Sequence, residues 1–522
     1  MLTDRMQLFL AGVVALLPLL AVAAWLWRRY YRDDEDNAVR RVLKNSSLPI
    51  AANLLNRLID LGFAAITLRL LGAEGNGSYG FVALLVGVYF LTITNWGLND
   101  LAVREIAAGR ERPERLFSLT LLLRWGVAAG LLPVGLLLGA GYAALGTPLG
   151  VAEQWACIIL LLHLFPAALA AACSASFQAA QRMEVPALVL VLTNIAKVLL
   201  GVVALLAVDQ VGERVVALAI VALAATTING LLFWWLQQRL LFRTIFFWHW
   251  PTGRTLLREA FPLLLNSLLL IVFFRFDYII LRGTGDLAAL GSYDAAYKLI
   301  NMTQIVPPYF VAALFPLLAR YAVDDRSALL RAYYQALKLL QWLAWPAAVV
   351  CTLFAADLIW LLAGPGFEAG AVALAILIWY LPLSYANGVT QYVLIALRRQ
   401  QAITQAFLLA AGFNLGLNLL LIPQFGITAA AALTVASEVV LLLPLLYALR
   451  REAISVPLLS LSWQPIVASL IMGFTVWLVI PVGWLPALLL APLVYFGVLW
   501  LCKAFGVEEQ RLFRRVLGRV AK

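Results

Sequence analysis

Apolar runs of about 18 residues or more recur about fourteen times after Ser46, and that repetition limits what the chain can become. Each is long enough to cross roughly 30 Å of hydrocarbon as an α-helix. They lie at roughly 46–69, 79–99, 116–145, 152–179, 186–207, 214–237, 259–281, 288–320, 332–358, 370–397, 401–422, 427–449, 463–480 and 485–502. A further run covers Leu8–Trp27. Run length argues for helices, because barrel strands are about ten residues long and alternate. Of the 522 residues 64% are hydrophobic and only 12% are charged, about half the charge of a soluble domain. Lipid is therefore the solvent for most of the chain, and the expected fold class is all-α integral membrane.

The basic residues set an orientation. Of 38, 29 fall in one alternate set of loops and the C-terminal tail, while Arg5, Arg69, Arg214 and Arg282 fall in the opposite set. The Arg-rich side is cytoplasmic. The expectation is a multi-pass protein of a cell (inner) membrane with its N-terminus outside and its C-terminus in the cytoplasm. Topology also accounts for the net charge of +11 without a nucleic-acid partner. At the N-terminus, Ala21-Val22-Ala23 resembles a signal cleavage site, but Asp4 cancels Arg5, and Arg28, Arg29 and Arg32 follow the run directly. That charge order fits a retained helix.

The outer connections are short, the longest being about ten residues near Leu281–Leu290. They leave no room for an external catalytic domain. The longest inner connection, Gln238–Arg258, carries Phe246, Phe247, Trp248 and Trp250 and reads as an interfacial segment joining two halves. The tail from Lys503 places Leu512, Phe513, Val516, Leu517 and Val520 on one face, flanked by arginines. That pattern fits either a basic surface helix suited to anionic lipid heads or a solvated topological anchor.

The two halves repeat each other. Pro49 and Asn53 match Pro262 and Asn266, and Leu68-Arg69 and Gly72 match Leu281-Arg282 and Gly285, all at an offset of 213. Gly77-Ser78-Tyr79 matches Gly291-Ser292-Tyr293 at 214. Both copies start on the cytoplasmic side, six helices apart, so they are parallel repeats about an axis along the membrane normal, with substrate expected between them near the midplane. The expected division is an extra helix and linker at 1–44, an N-lobe at 45–252, a C-lobe at 253–453, and a helix pair with basic tail at 454–522.

Five cations remain inside the apolar runs: Arg57, Arg124, Lys197, Arg275 and Lys298. Carboxylates at comparable depth are Asp60, Asp277, Asp294 and Glu438. Each bare charge costs at least about 2.5–3.5 kcal/mol at the bilayer centre, so each must meet protein, water or a ligand. Arg57 with Asp60, and Asp294 with Lys298, are spaced to pair along one helix face. Arg275 and Asp277, two residues apart, point to different sides. A cavity shared by these cations would hold an anion, and a diphosphate suits the two-pronged guanidinium. The bland alternative is that the cations pair with carboxylates across helices and merely hold the bundle.

Other chemistry is sparse. The four cysteines (Cys157, Cys173, Cys351 and Cys502) have no CxxC spacing and read as structural thiols, so no metal site is expected. His163 reads as a packed histidine bonded to nearby backbone. Asn194, Asn229, Asn301, Asn387, Asn414 and Asn418 read mostly as ties between helices. There is no nucleotide-binding loop, HExxH or nucleophile elbow. Neither an enzyme nor a cofactor is expected, and energy would come from an ion gradient, the membrane potential or the substrate gradient. Asp60, Asp277 and Glu438 are the candidate ion-coupling residues.

Several segments resemble polysaccharide and oligosaccharide flippases of the multidrug/oligosaccharidyl-lipid/polysaccharide exporter superfamily. They are Arg69-Leu-Leu-Gly-Ala-Glu-Gly-Asn-Gly-Ser-Tyr79, Asn95-Trp-Gly-Leu-Asn-Asp100 with Val103-Arg-Glu-Ile-Ala107, Asp277-Tyr-Ile-Ile, and Gly291-Ser-Tyr-Asp-Ala-Ala-Tyr297. Phe315-Pro316, Asn414-Leu-Gly-Leu-Asn418, Ile422-Pro-Gln-Phe-Gly426 and Ser437-Glu438 continue the likeness, which runs from about Leu43 to Arg450. The resemblance implies two six-helix lobes around a cation-lined cavity that opens to alternate sides. A polyprenyl-pyrophosphate-linked glycan would be the substrate, with Arg57 and Arg275 placed to meet the pyrophosphate. It also implies that the last two helices form an extra pair beside a lipid groove. The helix at Leu8–Trp27 departs from the common pattern. Membrane lipids and other polysaccharide-assembly proteins are the further candidate partners. The competing readings are an ion-coupled multidrug antiporter of the same superfamily, a membrane glycan-assembly enzyme, and a non-transporting scaffold. An antiporter for cationic drugs would want an anionic cavity, and an enzyme would want acid–base residues on a sizeable outer loop.

Overall fold

The structure is a computed structural model that describes residues 38–455 and 457–505. The expected helix at Leu8–Trp27 and the amphipathic tail from residue 506 lie outside the described residues. Among the described residues every regular element is a helix, with no strand. Ten helices are long and apolar enough to cross a membrane, and a bent pair adds an eleventh. The protein is a multi-pass membrane protein.

The first apolar stretch, Ala51–Ala107, has 57 residues. As one straight helix it would be roughly 85 Å long, almost three hydrocarbon thicknesses. The chain breaks it at Gly72, where φ is 69° and ψ −179°. That conformation belongs to glycine, because a Cβ would clash there. Gly72 thus lies inside α1 (Ala38–Leu84), which continues through a π-helical turn, Leu85–Phe90, into α2 (Leu91–Asn95) and α3 (Leu98–Ala107). A second glycine repeats the device: Gly426, at φ 59° and ψ −138°, divides the 52 residues of Gln400–Arg451.

Between these lie α4 (Pro113–Ala144), α5 (Val151–Ala179), α6 (Glu184–Ala207), α7 (Val211–Leu240), α8 (Trp250–Gly283), α9 (Leu287–Thr303), α10 (Val306–Asp324), α11 (Arg326–Leu353), α12 (Ala355–Ala363), α13 (Glu368–Leu377) and α14 (Tyr380–Ala396). The broken helix Gln400–Arg451 is α15, followed by α16 (Leu458–Val479) and α17 (Trp484–Leu501). Helices α13 and α14 meet at 42°. Every apolar run read after Ser46 falls on one of these helices, on one arm of a broken one, or on consecutive helices; the run 79–99 crosses from α1 through the π-helical turn and α2 into α3.

The chain forms two compact units. The first holds the described residues up to Lys298 with Ile359–Gly370 and Leu415–Ala429. Its interior includes Phe117, Phe177, Val189 and Phe233 between α4, α5, α6 and α7, and Ile59, Val191, Ile195 and Val198 between α1 and α6. The second holds Leu299–Leu358, Ala371–Asn414 and the described residues from Ala430. There α16 and α17 pack on α11 through Met472, Val476, Tyr495 and Leu499, and the Tyr495 hydroxyl donates to Trp342 O at 2.8 Å.

Two features of the first unit position the residues that follow. The repeated Gly-Ser-Tyr segments cross each other. A Cβ on Gly77 would stand 2.0 Å from Leu287 O, and one on Gly291 would stand 1.8 Å from Ala73 O. The contacts are reciprocal in the repeat register, and only glycine at both positions allows so close an approach. Of the four arginines that broke the charge bias, the three among the described residues are also explained. Arg214 and Arg282 are not loop residues but lie in α7 and α8, both buried. Arg214 donates to Leu70 O at 2.6 Å and Val208 O at 2.9 Å, and Arg69 donates to Leu361 O at 2.6 Å. Arg282 donates to Pro148 O at 3.1 Å and forms a buried ion pair with Glu153 at 2.7 Å. These side chains satisfy carbonyls freed where helices end, so they stay on the minority side despite the general bias.

Candidate functional site

The first unit carries four of its intramembrane charges, Arg275, Asp277, Asp294 and Lys298, on α8 and α9. On α8, Arg275 and Tyr278 share a face, and Arg275 Nη1 donates to the Tyr278 hydroxyl at 3.3 Å. Its guanidinium lies 4.4 Å from the Tyr297 ring centroid and 5.5 Å from that of Tyr278. Tyr278, Tyr293 and Tyr297 pack edge-on or tilted, with centroids 5.0–5.6 Å apart. Three aromatic rings and a half-buried cation thus form one block, and cation–π attraction strengthens as water is excluded.

The carboxylates of this block each accept from several donors. Asp277 is buried and accepts from the Tyr293 hydroxyl, the Tyr297 hydroxyl at 3.4 Å and the Tyr278 N–H at 2.9 Å. Asp294 accepts from Lys298, from the Tyr278 hydroxyl at 3.2 Å and from Asn76 Nδ2 at 3.0 Å. Asn76 also donates to Gly291 O at 3.1 Å, so the glycine crossing delivers this amide to the site. Tyr89, on the π-helical turn, is buried with a hydroxyl that has no partner, within electrostatic reach of Arg275 and Asp277. Such turns occur often at functional sites because they re-aim one side chain without ending the helix.

The five cations do not form one cluster of contacts. Arg275 and Lys298 share the tyrosine block, and Lys298 pairs with Asp294 as their spacing indicated. Lys197 on α6 pairs with Asp60 on α1 at 2.8 Å, across helices, beside an Asn194–Asn56 hydrogen bond of 3.1 Å. Arg57 is half-buried on α1, one turn before Asp60. Arg124 on α4 is fully buried and donates to Asn99 Oδ1 at 2.6 Å, leaving Nε and Nη1 without partners. Glu438 lies in the second unit, buried, and accepts from Asn387 Nδ2 at 2.6 Å.

Other expected polar residues fall into place. Asn229 bonds Thr193 at 2.9 Å and Asn414 bonds Ser437 at 2.9 Å, which makes them ties between helices or helix arms. His163 Nδ1 has no hydrogen-bond partner. The tyrosines of the block and Asn76 lie in the segments that carry the resemblance but were not read as site residues. Their signal was present as spacing: Arg275 with Tyr278 at i,i+3 and Tyr293 with Tyr297 at i,i+4 each share one helix face.

Comparison with known proteins follows the same lines. No curated protein sequence matches the chain. Among solved structures, lipid II flippase MurJ in an inward closed conformation superposes with a TM-score of 0.71 at 14% identity, covering 90% of this chain and 100% of that one. An inward-facing multidrug resistance MATE family transporter of the MOP superfamily gives 0.61 at 16%, covering 76% and 94%. A MOP superfamily transporter from Pyrococcus furiosus, described as having a binding pocket of reversed polarity, gives 0.56 at 14%, covering 82% and 97%. At these identities the likeness establishes a MurJ/MATE-like transporter fold. The profile of one sequence family, described as polysaccharide biosynthesis protein, matches residues 42–322, more than half of the chain. On that match, the protein belongs to the polysaccharide biosynthesis protein family.

Proposed function

We propose that the protein is a flippase that moves a polyprenyl-pyrophosphate-linked oligosaccharide from the cytoplasmic to the outer leaflet for cell-surface polysaccharide biosynthesis. The observation that carries this reading is Arg275, a half-buried guanidinium laid on Tyr297 and Tyr278 in an apolar helix. Its aromatic seat fixes the plane of the guanidinium. Such a group binds diphosphate oxygens in a two-pronged way that lysine cannot copy. The family supports the glycan and the fold supports transport.

The pyrophosphate would bind at Arg275 and Lys298 while the polyprenyl chain stays in the bilayer. Access would alternate between faces, with the repeats at 45–252 and 253–453 as the moving parts. Arg57, Arg124 and Lys197 are proposed to meet the anionic substrate in other states of the cycle. Asp60, Asp277 and Glu438 are proposed for ion coupling. The membrane is the inner membrane of a bacterium, with the N-terminus outside and the C-terminus in the cytoplasm. No chemical step is part of this reading.

The test is transport of a polyprenyl-pyrophosphate glycan into the far leaflet of proteoliposomes. Arg275→Ala is expected to abolish it at unchanged yield and insertion, and Arg275→Lys to restore only a minor fraction. Undiminished transport by Arg275→Ala would remove this residue, and the reading built on it.

A further inference from the structure

The connection between α7 and α8 has no regular secondary structure over residues 242–249, yet it is pinned along its length. The Thr244 N–H donates to Gln238 Oε1 at 3.0 Å, and the Thr244 hydroxyl accepts from Trp234 Nε1 at 3.1 Å and from Gln238 Nε2. The Phe247 N–H donates to the Ser118 hydroxyl at 3.0 Å, and the Phe247 ring lies 5.2 Å from the Arg115 guanidinium. His249 caps α8 by accepting from the Thr252 N–H at 3.4 Å.

What this strap displays is unusual for a polar boundary. Phe246 is 86% exposed and Trp250 54%, and Trp248, also exposed, stacks on Trp250 at 6.0 Å. From Gln238 to Arg258 there is no Asp or Glu, whereas Arg239, Arg243, Arg254 and Arg258 are all exposed. Glu259, just beyond, is engaged by Arg104 at 3.4 Å. A cavity of about 350 Å³ opens beside the strap, lined in part by Pro113, Arg182, Leu240 and Phe242.

Aromatic rings ringed by unopposed arginines, at the ends of two membrane-length helices, suit one occupant. We infer that the strap is a docking site for the anionic phospholipid headgroups of the cytoplasmic leaflet. Phe246, Trp248 and Trp250 enter the boundary between headgroup and acyl chain, where amphipathic rings are most stable. Arg239, Arg243 and Arg254 meet the phosphates, and the cleft beside Arg182 takes a headgroup. Because Trp250 begins α8, a lipid-held strap sets the depth of the helix that carries Arg275. The assignment stands independently of what the protein transports.

The test uses the full chain in nanodiscs, with the four native cysteines replaced by alanine and a bimane label on Phe246→Cys. Brominated phosphatidylglycerol is expected to quench the label more than brominated phosphatidylcholine at the same mole fraction. Arg243→Gln and Arg254→Gln should each reduce that preference about fivefold, which corresponds to roughly 1 kcal/mol per arginine at an anionic surface. Equal quenching by both lipids would overturn the headgroup assignment. No quenching by either, with the same result from a label on the neighbouring exposed Ile245→Cys, would show that the strap lies in water and end the proposal.

Discussion

Arg282 and Glu153 hold each other through contacts of 2.7 and 3.0 Å with both side chains almost wholly buried. The arginine also closes the carbonyl end at Pro148, and the carboxylate also accepts from the Gly150 N–H at 2.8 Å, capping α5. Removing one partner strands the other charge, so Glu153→Gln is expected to destabilise the protein by about 3–5 kcal/mol. Thermal unfolding in detergent would show this as a large drop in Tm, partly recovered when Arg282→Met is added. A drop no larger than that of a surface substitution would mean that water reaches the pair. This couple was illegible in the sequence. Glu153 and Arg282 are 129 residues apart, and a charge count along the chain places Arg282 in a loop. By contrast, Lys298 and Asp294 were readable, because i,i+4 geometry needs no knowledge of the third dimension.

At the scale of elements, the crossing of α1 with α9 makes a sharp demand. Gly291→Ala places a methyl group 1.8 Å from a backbone carbonyl, and no side-chain movement relieves it. The cost should exceed the roughly 1–3 kcal/mol of an ordinary overpacked core. Gly62→Ala, where nothing lies within 4 Å, should be silent. Comparing the yield of monodisperse protein from the two variants checks this directly. A second element-level prediction concerns α11. Asp325 accepts from the Ser327 hydroxyl at 2.7 Å and from the Ala328 and Ser327 amides at 3.0 and 2.9 Å, and these bonds hold its carboxyl below the usual carboxylate range. A depressed value means that the cap stabilises the fold above the ordinary carboxylate pKa and loses this contribution as pH falls through the folded one. The Tm deficit of Asp325→Ala should therefore be largest at neutral pH and shrink toward acid, while Asp325→Asn, an equally good cap, should show little deficit at any pH.

For the whole molecule, apolar run length decided the architecture, because lipid forces every backbone group to be satisfied within its own helix. The breaks inside the long helices were less legible. Gly72 and Gly426 each break the helix with a single residue, so a helix assignment runs straight through them and only length against bilayer thickness reveals the break. The tyrosine block was hidden for a different reason: its members are ordinary apolar-run residues until α8, α9 and the arm after Gly72 are brought together. Orientation is open to a direct check. With native cysteines replaced, Thr284→Cys should react with a membrane-impermeant thiol reagent added outside intact cells and Glu111→Cys should not. The reverse pattern would invert the topology.

The reciprocal glycine contact also has a clock attached to it. Its two sides are 214 residues apart in the chain, and at roughly 5–20 residues per second of synthesis the second arrives about 10–40 s after the first. For that interval the stripe of backbone at Ala73 and Gly77 on the early arm lacks the partner it packs against. Whatever surrounds the growing chain must leave that stripe open for its late partner. A polypeptide that stops short of Leu287 never covers it.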